Sequence, residues 1–72
     1  MINTIDILTL IHEGVTSAQI ARDHDVSPPS ISKRIRQMEK FREVALVDRD
    51  PKDRRRIRLT EEGIKLLQEF SI

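Results

Sequence analysis

The sequence predicts a mostly helical α+β domain: three helices, a two- or three-stranded β-hairpin and a C-terminal helix. Three observations carry this. Apolar residues recur at helical spacing through residues 3–13, 16–24 and 27–41, and each stretch opens on a capping residue. After Phe41 the period changes to that of strands, broken by the turn residues Asp50-Pro51-Lys52-Asp53. Thr60, followed by Glu61 and Glu62, then restarts a helix. A chain of 72 residues makes one domain, 1–72, with a small core.

The first helix is expected between Asn3, a capping residue, and Glu13, with Gly14 following its last turn. Ile5, Leu8 and Ile11 form its stripe and Ile7 broadens it. Thr16-Ser17-Ala18-Gln19 is a capping box, in which the Thr16 hydroxyl accepts from the Gln19 amide and the Gln19 side chain reaches back. Val15 and Ile20 are the matching hydrophobic staple, and the helix stops at His24. After the short turn Asp25-Val26, Ser27 caps the next helix and Pro28 fills its first position, where the missing N–H costs nothing. Ile31, Ile35 and Met38 share one face of it, and Lys33, Arg36, Gln37 and Lys40 lie opposite. Val44-Ala45-Leu46-Val47 is an apolar run of strand type. From Arg54 to Leu59 the residues alternate, with Arg55, Ile57 and Leu59 on one face and Arg54, Arg56 and Arg58 on the other. In the last helix Ile64, Leu67 and Phe70 supply the stripe and Leu66 widens it.

The net charge of +1 conceals a polarised molecule. Residues 33–58 hold 11 Lys/Arg and 5 Asp/Glu, a net +6, and the rest of the chain carries −5. A basic side this concentrated favours a polyanionic partner, and the acidic remainder would face away from it. The chain has no Cys, and its two His, at 12 and 24, are isolated, so no metal site or other cofactor is expected. The carboxylates of Asp50 and Asp53 stand in a basic loop without a nucleophile, so no enzyme is expected either. No apolar run reaches the length of a membrane span, and no basic segment precedes an apolar one at the N-terminus. The expected location is the cytoplasm, on the nucleoid.

Two short helices joined by a turn (16–41), a basic hairpin (44–59) and a closing helix (61–70) make a winged helix-turn-helix. Residues 16–63 resemble the DNA-binding domains of bacterial and archaeal transcription regulators of this fold. The run Val26-Ser27-Pro28-Pro29-Ser30-Ile31-Ser32-Lys33-Arg34-Ile35-Arg36-Gln37-Met38-Glu39, with Val44-Ala45-Leu46 and Asp48-Arg49, resembles the LysR type. The wing Asp50-Pro51-Lys52-Asp53-Arg54-Arg55, with Leu59-Thr60-Glu61-Glu62-Gly63, resembles the MarR type. There are two departures. LysR-type domains usually carry Gly where this chain has Glu43, and the stretch from Arg55 to Thr60 is shorter than in MarR-type wings. The resemblance implies DNA binding but neither ligand sensing nor a dimer geometry.

The expected partner is double-stranded DNA, bound sequence-specifically by a transcriptional regulator. The expected mode is repression by occlusion, which requires nothing beyond the bound domain. The third helix would enter the major groove N-terminal end first, where Pro28, Pro29, Ser30 and Ser32 permit close approach. Lys33 or Arg36 would read guanine, with Arg favoured for its planar fork, and Gln37 and Lys40 would lie further along the same face. Arg34, nearer the side, would meet phosphate. Arg49, Lys52, Arg54, Arg55, Arg56 and Arg58 would hold the wing to the minor groove or backbone. The MarR-type resemblance makes Arg55 the groove-reaching residue and Asp53 its orienting partner, with Asp50 shaping the turn. Strand alternation instead turns Arg54, Arg56 and Arg58 outward. A homodimer through the N- and C-terminal helices would read a two-fold site. A winged-helix protein-interaction module and a non-specific architectural nucleic-acid binder are the competing functions, because a basic face alone also suits a solvated surface.

Overall fold

The computed structural model describes residues 2–53 and 56–70. The elements run α1 (Thr4–His12), α2 (Ser17–Asp23), α3 (Pro28–Arg42), β1 (Val47–Arg49), β2 (Ile57–Leu59) and α4 (Glu61–Glu69). The strands form one antiparallel pair, with Val47 opposite Leu59, Asp48 opposite Arg58 and Arg49 opposite Ile57. The chain is therefore mostly helical with a short hairpin between its last two helices, the layout of a winged helix-turn-helix.

Helix α1 is the hub. It packs against α2, α3, α4 and β2. Its buried residues are Ile7, Leu8 and Ile11, so Ile7 belongs to the centre of the stripe, and Ile5 is only partly covered. Ile20 from α2, Ile31 and Ile35 from α3, Leu46 before β1 and Leu66 from α4 complete the fully buried set. Each such side chain contributes about 1.5–3 kcal/mol through burial. Buried Ala21 lets α2 lie close on α3.

Local chemistry sets the helix ends. The Asn3 carboxamide oxygen accepts from the Asp6 amide at 2.8 Å, and the Thr16 hydroxyl accepts from the Gln19 amide at 3.1 Å. The reciprocal half of the capping box is different from the expectation: the Gln19 side-chain amide donates to Asp23 at 2.8 Å, one turn further on. Ser27 occupies the cap position of α3 but its hydroxyl bonds the Ser30 hydroxyl at 2.7 Å, with no side-chain bond to the helix backbone. Gly14 turns the chain out of α1 at φ 96°, a conformation that favours glycine. Asp25, φ 53°, does the same between α2 and α3, and Glu43, φ 58°, ends α3 in the left-handed region.

Two expectations about packing are corrected. The apolar run Val44–Val47 is not a strand along its length, because β1 begins only at Val47. Ahead of it, the Leu46 amide donates to the Glu39 carboxylate at 2.8 Å and the Leu46 carbonyl accepts from the Thr60 amide at 3.0 Å. Leu46 faces Thr60 in the hairpin register, but with its N–H given to Glu39 it makes only one of the two bonds of that pair, and the regular ladder starts one residue later. In α4 the buried seam is Gly63 and Leu66, with Leu67 partly buried against the core beside it; Phe70, expected in the stripe, caps the helix and is 63 % exposed. The cause is Gly63. It seats α4 so close to the Leu46 carbonyl that a Cβ at this position would collide with that oxygen, and this contact fixes the rotation of the helix.

Candidate nucleic-acid interface

The N-terminal half of α3 is held from behind. Ile31 and Ile35 are buried, which turns Pro28, Pro29, Lys33, Arg36, Gln37 and Lys40 into solvent. Ser30, Ser32 and Arg34 are half-buried on the flanks. The wing projects beside this face. In it, Ile57 and Leu59 are partly covered, and Arg49, Lys52, Arg56 and Arg58 are exposed. The inward and outward alternation of β2 holds for Ile57–Leu59. Arg54 and Arg55 lie outside the described residues.

The turn of the wing is braced by its two aspartates. The Asp50 carboxylate accepts from the Lys52 amide at 2.9 Å, and the Asp50 amide donates to the Arg56 carbonyl at 3.1 Å. The Arg56 amide donates to the Asp53 carbonyl at 3.1 Å, and its guanidinium stands 3.8 Å from the Asp53 carboxylate. Asp50 thus shapes the backbone turn, and Asp53 is joined to Arg56 both through its main chain and through its side chain. The ion pair is exposed and adds little stability.

Between α3 and the wing lies an open concavity of about 1080 Å³. Helix α3 lines it with Pro28, Pro29, Ser32 and Arg36, and the hairpin with Arg49, Asp50, Pro51 and Ile57. The third wall is α2 with its cap, through Thr16, Ser17, Ala18 and Arg22. Three arginines from three different elements, Arg22, Arg36 and Arg49, therefore line one hollow, together with one acidic residue, Asp50. Pro28, Pro29, Pro51, Ala18 and Ile57 give apolar surface among these charges.

The hollow separates residues that the sequence grouped together. Arg36 lines it, whereas Lys33, Gln37 and Lys40 lie on the exposed helix face outside the lining, with Ser30 and Arg34 on the flanks. Arg49 and Asp50 line it, whereas Lys52, Asp53, Arg56 and Arg58 sit further out on the wing. The wall from α2 was missed in the sequence reading. Its signal was modest but present: Ala18 and Arg22 are one turn apart on a short helix whose other side carries Ile20 and Ala21.

Among the described residues no cluster of His, Asp or Glu could hold a metal ion, and no helix is long and apolar enough to cross a membrane.

A short helix pair with its second helix exposed and basic, flanked by a basic hairpin, defines a winged helix-turn-helix domain. The model of the bacterial regulatory helix-turn-helix protein, lysR family, matches residues 6–64, and the chain belongs to that family. It is accordingly a DNA-binding domain of a transcription regulator. No curated protein and no solved structure gives a significant match. The left-handed backbone at Glu43 accounts for the Gly usual at this position, since glycine adopts that conformation without strain, and nothing in the structure explains the Glu found here.

Proposed function

We propose that this domain binds double-stranded DNA sequence-specifically, with α3 in the major groove and the wing on the adjacent minor groove or backbone, and that it represses by occlusion. The observation that carries this reading is the concavity bordered by Arg22, Arg36 and Arg49. A duplex backbone seated there meets arginines from α2, α3 and the wing together, which orients α3 before any base is read. Arg36 is the base reader in this proposal. It lines the hollow from the middle of α3, and a bidentate contact to guanine is worth about 1–3 kcal/mol of discrimination. Pro28 and Pro29 offer apolar contact to thymine methyl groups. Arg22, Arg34, Lys33 and Lys40 neutralise phosphates, as do Arg49, Lys52, Arg56 and Arg58 on the wing. The wing's resemblance to the MarR type adds Arg55 as a groove-reaching residue. A homodimer through α1 and α4 would place two such helices on a two-fold operator, and the site of action would be the nucleoid.

Selection of bound duplexes from a random pool tests the whole reading. The expected result is a recurrent sequence, bound with a log–log salt slope of roughly −5 if about six phosphates are neutralised. A pool that yields no preferred sequence while binding stays strongly salt-dependent would favour the architectural alternative. Salt-independent binding would remove the basic surface from the mechanism altogether.

A further inference from the structure

One residue of α3 takes part in neither the hydrophobic core nor the exposed basic face. Glu39 gathers the backbone of the connection between α3 and the wing. Its carbonyl accepts from the amides of Glu43 and Val44, the second at 3.3 Å, which closes the helix. Its carboxylate, half-buried, accepts from the Leu46 amide at 2.8 Å and more loosely from the Val47 amide at 3.5 Å. Leu46 is fully buried and Val47 is the first residue of β1. On the other side of the same peptides, the Leu46 carbonyl accepts from the Thr60 amide at 3.0 Å, and the Thr60 hydroxyl donates to the Ala45 carbonyl. The bases of both wing strands are therefore fastened to Leu46, and Leu46 is fastened to α3 by the Glu39 side chain.

We infer that Glu39 is the positioning residue that sets the wing against the recognition helix so that one duplex meets both. The inference rests on the proposed reading in which α3 and the wing contact DNA together. The physical argument is a lever. Each strand is three residues long, so the cations at the outer end of the wing depend on how its base is held. A carboxylate is a strong acceptor for a backbone amide, and it reaches these amides from the flank of the helix beside the face that would lie in the groove. Without it, a buried Leu46 amide has no acceptor, and the segment must shift to reach water. That shift moves the wing relative to α3 while leaving the basic side chains of both elements in place.

A double-variant cycle on binding to a random-sequence DNA duplex, measured against salt, tests this. The wing variant combines Arg56→Ala with Arg58→Ala, and its expected effect is a slope shallower by about 2 units. Glu39→Ala is expected to flatten the slope similarly and to weaken binding at low salt about tenfold, although it removes a negative charge that repels DNA. Added to the wing variant, Glu39→Ala should then cost clearly less than it does alone, because two of the contacts it misplaces are already gone. Glu39→Gln keeps a carbonyl oxygen for the Leu46 amide and should bind at least as well as the parent. Losses that multiply, a Gln variant as weak as Ala, or an Ala variant that binds unchanged or tighter would each overturn the inference. If the wing variant alone changes neither affinity nor slope, the wing has no role in binding, and both the inference and that part of the proposed function fall. Should Glu39→Ala not fold, hydrogen exchange of the Leu46 amide decides. Protection in the unsubstituted protein that survives in Glu39→Gln is expected; exchange as fast as in an unstructured chain would overturn the assignment.

Discussion

Helix α3 and the wing carry similar charge but are held in place by different means. Ile31 and Ile35 anchor α3 from its buried face, directly behind the residues that point outward. The wing is packed only at its base, through buried Leu46 and Val47 at its first strand and partly covered Ile57 and Leu59 in its second. Its position depends on backbone bonds at Leu46 and Thr60 and on the turn at Asp50 and Asp53. Packing behind a helix resists any displacement, whereas hydrogen bonds at the base of a hairpin fix its direction and leave its far end adaptable. The difference suits a base reader that must be rigid and a clamp that must follow the backbone.

The comparison can be broken most severely at the helix. Ile31→Ala removes a fully buried side chain behind the reading face and should cost about 2–5 kcal/mol. That is a large part of the roughly 4–11 kcal/mol expected for a chain of this size, and denaturant titration would show it. Gly63→Ala attacks the other support. Its Cβ collides with the Leu46 carbonyl, a backbone atom that cannot rotate away, so a loss of about 3 kcal/mol is expected in the same titration. If it costs under about 0.5 kcal/mol, α4 is not seated on the wing base as described.

The next two tests sharpen the contrast. Arg36→Ala should weaken binding to a selected duplex about tenfold or more and relax specificity at one base pair, whereas Arg58→Ala should weaken all duplexes alike and make the salt slope shallower by about 1 unit. Competition of selected against random DNA distinguishes the two patterns, and equal effects would abolish the division into reader and clamp. The smallest effect is a gain. Glu43→Gly relieves a left-handed residue at the end of α3 and should stabilise the domain by about 0.5–1 kcal/mol, raising Tm by about 2–8 °C. An unchanged or lowered Tm would show that Glu43 is not strained there.

The caps were legible in the sequence because each is a contact between residues three apart. Asn3 with Asp6, Thr16 with Gln19 and Thr60 with Gly63 all form as the local pattern requires. So does the inner face of α3, where Ile31 and Ile35 are buried. The errors fall where a local pattern left a choice. Gln19 had Asp23 as an alternative partner one turn away. Leu66 and Leu67 are adjacent, so either could have taken the centre of the seam, and the approach of Gly63 to Leu46 puts Leu66 there and Leu67 at its edge. The third wall of the concavity was hidden because Arg22 stands outside the basic segment and reaches it only through the crossing of α2 and α3.

By itself the sequence determined the helices, their caps, the hairpin and the concentration of positive charge in residues 33–58. These depend on contacts a few residues apart and on composition, both of which survive without knowledge of the fold. Only the tertiary structure decided that Arg22, Arg36 and Arg49 border one hollow, that β1 starts at Val47, and that Glu39 holds the base of the wing. Those facts join residues distant in the chain, and the joining depends on how closely buried surfaces approach, which no single segment specifies.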